Sequence, residues 1–261
     1  MLNKTKEINI NLNKNLCEFY GALMGDGCLC KFKRKNRKNY GTRIIFTGHK
    51  ILDKEYHERY LNELIKEEFN IKPYIYVSKI KNIRNLIISN NLLFKELKKL
   101  GFPIGEKGQK LKIPNKLMKL PWNIKKYIIR GFFDTDGCIY ARKDENYRYP
   151  HISLSTNSKI LIKQLYKILK ERNYHVWISK GSKLDVRLKG IKNTIKWMDD
   201  IGSSNLRHTF KYEYFQKNGI LPANLGPVVK PGITRPWHGC VSSSNLDWSI
   251  KRGNNDKSNN I

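Results

Sequence analysis

An aspartate followed by glycine closes an apolar stretch twice in this chain, and the two copies are in register. The first copy reads GALMGDGCL at residues 21–29, and the second reads GFFDTDGCI at residues 131–139. Asp26 and Asp136 are 110 residues apart, and the tripeptide KIL that starts at residue 50 recurs 109 residues later. Because two separate matches share nearly one offset, the sequence predicts an internal duplication.

Each copy has the same order of periodic segments. Their spacing predicts a helix, two strands, a helix, two strands and a closing helix. The predicted helices of the first copy cover residues 16–24, 53–69 and 91–100, and its strands cover 28–32, 43–47, 73–80 and 85–90. In the second copy the helices cover 124–135, 159–172 and 191–202, and the strands cover 138–142, 152–155, 175–179 and 184–188. The fold class predicted is α+β, with two pseudo-symmetric αββαββα repeats.

Composition shifts predict the domain boundaries. The repeats are expected over residues 1–101 and 124–219, joined by a linker at 102–123 that contains prolines and basic stretches. Residues 220–261 lose the periodic pattern. Their glycine, proline, serine and asparagine residues cannot build a core, so this tail is predicted to be disordered.

The charge balance points to a polyanionic partner. Lysine and arginine number 51 against 22 acidic residues, a net charge of +29, and nucleic acid is the first candidate for such a surplus. The alternative is that an AT-rich genome inflates lysine whatever the function. No membrane partner is expected, because no apolar run approaches the ~20 residues of a spanning helix.

The compartment is predicted from the N-terminus and the cysteines. Residues 1–10 carry no apolar signal core, and the five cysteines show neither a CxxC pair nor zinc-site spacing. An intracellular protein is therefore expected, in the cytoplasm or nucleoid or in an organelle matrix.

Small residues in both motifs predict that the two motif helices pack together. Gly21 and Gly25 are four residues apart on one helix face, as are Gly131 and Thr135, so two backbones can approach closely. The glycine after each aspartate is a natural helix stop. This places Asp26 and Asp136 side by side at the ends of the paired helices.

Two carboxylates at two helix C-termini need a positive partner. Each C-terminus carries roughly half a negative charge, and the second aspartate adds like-charge repulsion. Divalent cations with oxygen ligands satisfy this need, and Mg²⁺ or Mn²⁺ is predicted at Asp26 and Asp136, with Gly25 and Thr135 lining the site. The alternative is that each aspartate only caps or turns a helix end.

The segments FYGALMGDG (residues 19–27) and IRGFFDTDG (residues 129–137) resemble the two motif copies of single-chain LAGLIDADG homing endonucleases. The resemblance extends over about residues 14–217. It implies two saddle-shaped antiparallel sheets, motif helices paired at the repeat interface, and catalytic metal bound by one acidic residue from each repeat. It also implies that both DNA strands are cut across the minor groove to leave short 3′ overhangs. The first copy departs from the family pattern at Met24 and Gly25.

The resemblance also implies lysines near the reacting phosphates. Members of the family often carry one late in each repeat, which corresponds here to Lys110 and Lys211. Such lysines can stabilise charge on the phosphate. Lys107 is a rival for the first position, and a surface role remains the alternative for each. His49 lies where some relatives carry a polar group.

Strand alternation predicts the DNA contacts. Tyr140 and Arg142 alternate with apolar neighbours, which puts them on the groove side of the second sheet. The remaining predicted contacts are borne on or beside strands: Cys30, Phe32, Arg34, Arg43, Arg84, Lys183, Arg187 and Lys189. For each of them a solvated surface role is the alternative.

The function predicted is a site-specific double-strand DNA endonuclease that acts as a monomer. It hydrolyses phosphodiesters with divalent metal and is either intron-encoded or free-standing. Two alternatives stay open, namely an RNA maturase of the same fold that binds intron RNA and a non-cleaving DNA-binding regulator. An intein is not expected, because the chain starts at Met1 and ends without a His-Asn junction.

Overall fold

The computed structural model describes residues 10–33, 40–180 and 184–222. The first repeat contains three helical segments and four strands. They are α1 (Lys14–Gly25), β1 (Gly27–Lys33), β2 (Tyr40–His49), a π-helical segment (Tyr56–Leu61) that continues into α2 (Asn62–Phe69), β3 (Tyr74–Val77), β4 (Ile83–Ile88) and α3 (Asn91–Leu100). The strands form one antiparallel sheet, sheet one, in the order β1-β2-β4-β3.

The second repeat has the same order. A short helix α4 (Asn115–Met118) in the linker precedes α5 (Trp122–Asp136), β5 (Gly137–Tyr140), β6 (His151–Thr156), α6 (Lys159–Glu171), β7 (Val176–Lys180), β8 (Leu184–Lys189) and α7 (Ile191–Asp200). Its strands form sheet two, antiparallel in the order β5-β6-β8-β7. The predicted α+β fold of two αββαββα repeats is confirmed. A further helix, α8 (Leu206–Asn218), was not predicted from the sequence.

One predicted helix differs in geometry. The segment predicted as a helix over residues 53–69 is π-helical at Tyr56–Leu61. In a π-helix residues five apart share a face, and Tyr56 and Leu61 are both buried. The segment therefore still turns an apolar face toward the core.

Each sheet has a buried inner face and an outer face. The inner faces carry apolar residues that are at most 1% exposed, among them Leu29, Ile44, Phe46, Leu86 and Ile88 in sheet one and Ile139, Ile152, Leu154, Val186 and Leu188 in sheet two. Helices of each repeat, such as α3 in the first and α6 in the second, pack on this inner face.

The two repeats meet along α1 and α5. A Cβ atom on Gly21 would overlap the carbonyl oxygen of Ile128 and lie 2.9 Å from the Phe132 nitrogen. A Cβ atom on Gly131 would overlap the Glu18 carbonyl and lie 2.7 Å from the Ala22 nitrogen. Only glycine permits this approach, and it fixes the two helices side by side.

The described part of the chain ends in contact with the second repeat. Leu221 is buried, and its N–H donates to the Tyr147 carbonyl at 2.8 Å. Most of the tail predicted to be disordered, residues 223–261, lies outside the described residues. Across the residues that the structure describes, no helix is both long and apolar enough to cross a membrane.

Candidate active site

The motif aspartates lie at the ends of the paired helices. Asp26 caps α1, and its N–H donates to the Ala22 carbonyl at 3.1 Å. Asp136 is the last residue of α5. A Cβ atom on Gly25 would overlap Thr135 Oγ1 and lie 3.4 Å from the Asp136 nitrogen. The close approach of the helices thus brings together two aspartates that are 110 residues apart in sequence.

Gly25 and Thr135, the other two residues predicted for the metal site, form the contact between the helices. Both are buried. The Thr135 hydroxyl donates to the carbonyls of Gly131 and Phe132, each at 3.1 Å. The threonine hydroxyl therefore donates within its own helix. Gly25 has no side chain that would push α1 and α5 apart and so separate Asp26 from Asp136.

A lysine of the linker lies against this pair. Lys107 Nζ donates to the Met24 carbonyl at 2.9 Å and to the Gly25 carbonyl. Burial lowers the pKa of Lys107, and the nearby carboxylates of Asp136 and Asp26 act in the opposite direction. Lys107, the rival to Lys110 in the sequence-based prediction, therefore interacts electrostatically with both motif aspartates. Lys110 ends a short 3₁₀ turn (Gly108–Lys110) and is exposed.

Lys211, the predicted lysine of the second repeat, lies in a different environment. It is buried on α8, and its Nζ donates to the Ile139 carbonyl at 3.0 Å. Burial, reinforced by the positive charge of Arg207, lowers the pKa of Lys211 to about 8. This ammonium lies beside the strand that begins directly after Asp136, so the two repeats present unlike lysines near the motif.

The oxygen atoms at the helix ends fit a divalent cation. The carbonyls of Met24 and Gly25 already hold a cation, the Lys107 ammonium, and carboxylate and carbonyl oxygens are the ligands that Mg²⁺ and Mn²⁺ prefer. Among the described residues there is no group of three or more His, Cys, Asp or Glu side chains able to hold a metal. Mg²⁺ sites typically combine one or two carboxylates with water and substrate oxygens.

A buried polar network beside the motif helices was missed in the sequence. Arg130 Nε donates to Glu18 at 2.9 Å, and Ser204 Oγ donates to the same carboxylate at 2.7 Å. Asp134 accepts from the Ser204 N–H at 2.9 Å and from the Ser203 hydroxyl. A loop just before α8 thereby joins α1 to α5. The sequence signals were two acidic residues inside apolar helices, Glu18 and Asp134.

Three of the predicted contacts in sheet one share the outer face. The Arg43 guanidinium lies 4.3 Å from the centre of the Phe32 ring, a cation–π arrangement. Cys30 is the cross-strand partner of Arg43. Arg34 lies outside the described residues. The ring of His49 accepts backbone N–H groups of Ile51 and Leu52 at 3.3 and 3.2 Å and so shapes a turn.

The placement of Arg84 does not agree with its predicted role in binding DNA. Its side chain is 1% exposed and forms an ion pair with Glu58, and its Nη1 donates to the Lys50 carbonyl at 2.8 Å. Strand β4 alternates so that Arg84 shares the inner face with Leu86 and Ile88. The arginine therefore stabilises the first repeat from within.

Sheet two carries its predicted contacts on the outer face, where acidic residues anchor them. Arg187 pairs with Asp185 at 2.7 Å, and Lys189 pairs with Glu145 at 2.6 Å. Tyr140 stacks on His151 with ring centres 5.1 Å apart. Beyond the end of β5, Arg142 is exposed and pairs with Asp144, whereas Lys183 lies outside the described residues.

Part of the chain is similar to a known family model. A family model described as a LAGLIDADG-like domain matches residues 123–211. An uncharacterized protein of Methanocaldococcus jannaschii is 26% identical over 190 residues, which cover 70% of this chain. The match spans 64% of the length of that relative.

Solved structures share the whole two-repeat architecture. The crystal structure of I-DmoI in complex with DNA and Mn superposes with a TM-score of 0.54 at 18% identity, covering 75% of this chain and 100% of that one. I-DmoI in complex with DNA and Ca gives 0.52 at 17% identity, covering 76% and 91%. Mesophilic variants of the homing endonuclease I-DmoI give 0.54 at 16% identity, covering 73% and 96%. At these identities the likeness shows the fold.

Proposed function

We propose that this chain, which has the two-repeat LAGLIDADG fold and a LAGLIDADG-like domain at residues 123–211, is a site-specific endonuclease that cuts both strands of a DNA duplex with the help of divalent metal. One observation carries the proposal. The ends of α1 and α5 bring Asp26 and Asp136 together against the Lys107 ammonium, at the point where both sheets begin.

In this proposal Asp26 and Asp136 hold the metal, one carboxylate from each repeat. A divalent ion bound there offsets negative charge on the phosphate and lowers the pKa of water. The ammonium groups of half-buried Lys107 and buried Lys211 lie near the motif, where positive charge stabilises a phosphodiester that gains negative charge. Because β1 starts directly after Asp26 and β5 directly after Asp136, both sheets begin at the proposed metal site.

The duplex is held by the outer faces of the two sheets. Arg43 with Phe32 in sheet one, and Arg187 with Lys189 in sheet two, offer cationic groups for phosphates and base edges. The net charge of +29 supports a polyanionic partner. The solved structures of I-DmoI in complex with DNA lend further support.

Binding and cleavage are tested in two stages. First, duplexes are selected from a random-sequence library by repeated binding to the protein in Ca²⁺. A supercoiled plasmid that carries the selected duplex is then incubated with Mg²⁺, with Mn²⁺ or with EDTA. We expect linear product with either metal and none with EDTA.

Substitution of the motif aspartates separates catalysis from binding. Asp26→Asn and Asp136→Asn keep the side-chain shape and remove one negative ligand each, so we expect double-strand cleavage to fall by at least ~100-fold while the duplex is still bound. The double variant should neither cut nor nick. Asp199→Asn, an exposed aspartate on α7, is the matched control and should cut normally.

Three outcomes contradict the proposal. Cleavage by the double variant would show that Asp26 and Asp136 are not needed for catalysis. Binding without cleavage in either metal would identify a non-cleaving regulator. Tighter binding to a folded intron RNA than to every selected duplex would identify an RNA maturase.

A further inference from the structure

The Lys107 ammonium occupies a position that a metal ion would also seek. Its Nζ lies 2.9 Å from the Met24 carbonyl oxygen and also donates to the Gly25 carbonyl, the last turn of α1. Both motif carboxylates act on it electrostatically. A unit positive charge at the C-terminus of a helix, beside two aspartates, offsets the repulsion that the paired helix ends would otherwise suffer.

The backbone that precedes Lys107 is anchored to β1, which holds this part of the linker close to the end of α1. The Gly105 N–H donates to the Leu29 carbonyl at 2.8 Å, and Ile104 forms a parallel bridge with Leu29 of β1. On the other side, the Lys110 N–H donates to the Lys107 carbonyl at 2.8 Å. The linker is thus held against the strand that follows Asp26.

In the second repeat, a different kind of donor binds the corresponding carbonyl at the end of α5. The Asp134 carbonyl, which corresponds to that of Met24, accepts from the side-chain amide of Asn205 at 2.8 Å. That donor is neutral. The second lysine, Lys211, instead donates to Ile139 on the following strand. The repeats therefore differ in charge at equivalent carbonyls.

We propose that Lys107 is a tethered cation that stabilises the paired helix ends before metal binds and competes with divalent metal for them. The inference rests on the proposed metal site at Asp26 and Asp136. It makes Lys107 a residue that sets metal affinity, in addition to any role toward the phosphate. Metal binding at the end of α1 then requires the ammonium to leave the carbonyls of Met24 and Gly25.

The competition is tested on the DNA-free protein. Mn²⁺ affinity is measured from the EPR signal of free Mn²⁺, and thermal melting is followed in EDTA. We expect Lys107→Met to bind Mn²⁺ about tenfold more tightly, a typical coupling between neighbouring charged sites, and to melt several degrees lower without metal. Lys112→Met, which removes an exposed lysine of the same linker, should change neither quantity.

A second variant separates charge from hydrogen bonding and guards against a folding defect. Lys107→Gln keeps an N–H donor but lacks the charge, so it should also bind Mn²⁺ more tightly than the wild type. Unchanged or weaker Mn²⁺ affinity in both Lys107 variants would overturn the inference. If Asp26→Asn and Asp136→Asn leave Mn²⁺ affinity unchanged, the proposed metal site itself is wrong, which is a different result.

Discussion

At the scale of single residues, the two motif copies carry chemically different side chains at one buried position. Met24 and Asp134 correspond, and both are at most 1% exposed. Burial, with a contribution from Glu18, raises the pKa of Asp134 to about 7, although the Ser203 hydroxyl and the Ser204 N–H favour its charged form. One helix of the pair therefore carries a carboxyl group that is largely protonated below neutral pH.

This carboxyl group predicts a pH dependence of stability. Because its folded-state pKa of about 7 exceeds the ordinary value of 3.8, the folded protein holds a proton that the unfolded chain releases. The stabilisation it provides is complete below pH ~4 and is lost as the pH rises toward 7, by at most about 1.4 kcal/mol per pH unit. Asp134→Asn mimics the protonated form and should remove this loss.

Urea unfolding in EDTA between pH 4 and 8 measures the effect. The wild type should lose stability relative to Asp134→Asn as the pH rises to about 7, and the difference should level off above that. Asp199→Asn, at an exposed site, should give a curve parallel to that of the wild type. Parallel curves for Asp134→Asn as well would show that Asp134 is ionised throughout.

At the scale of elements, the contact between α1 and α5 decides where the site forms. The helices meet backbone to backbone at Gly21 and Gly131, and at Gly25 against Thr135. The Glu18–Arg130 ion pair and the hydrogen bonds of Ser204 join the same two helices. A change in helix separation would therefore move Asp26 and Asp136 apart as well as weaken the core.

Gly131→Ala tests this contact. The added methyl group would overlap the Glu18 carbonyl, and backbone cannot move aside as a flexible side chain can. Although alanine favours a helix by up to ~1 kcal/mol over glycine, we expect a net loss of about 2 kcal/mol or more in unfolding free energy. Urea denaturation measures it, with Asn123→Ala on the exposed side of α5 as the control. A stabilised Gly131→Ala protein would refute the close packing.

At the scale of the whole molecule, positive charge is divided between the outer faces of the sheets and the helices on the opposite side. The outer face of sheet one presents Arg43 over an aromatic ring, and that of sheet two presents Arg187 and Lys189 held by acidic partners. Helix α6 packs on the inner face of sheet two, so its exposed lysines, Lys163 among them, lie on the far side of that sheet. Only part of the net positive charge can therefore meet one duplex.

The salt dependence of DNA affinity tests this sorting. Affinity for the selected duplex should fall steeply with salt, because bound phosphates release counterions. Arg43→Met should make the slope of log K against log salt shallower by about one, the loss of one phosphate contact. Lys163→Met removes the same charge from the far side and should leave the slope unchanged. If both substitutions changed the salt slope equally, the duplex would not be bound on the outer faces of the sheets.

The sequence by itself determined the duplication, the order of the elements and the meeting of the two aspartates. Each of these depends on local information. Periodicity records which side of a segment is apolar, and the small residues of each motif permit the helix contact that brings Asp26 to Asp136. Strand alternation also predicted the outer-face position of Tyr140, next to buried Ile139.

Only the tertiary structure decided which distant groups serve the site. Lys107 reaches the helix ends because the linker is anchored to β1 through Leu29 and Gly105, a pairing that the spacing of lysines does not encode. Arg84 points inward because it shares the buried face of β4 with Leu86 and Ile88. Its charge is compensated there by an ion pair with Glu58. Buried Glu18 and Asp134 find partners at Ser203 and Ser204, far along the chain. Local patterns specify faces, whereas the partner of a buried charge is fixed only when remote segments pack.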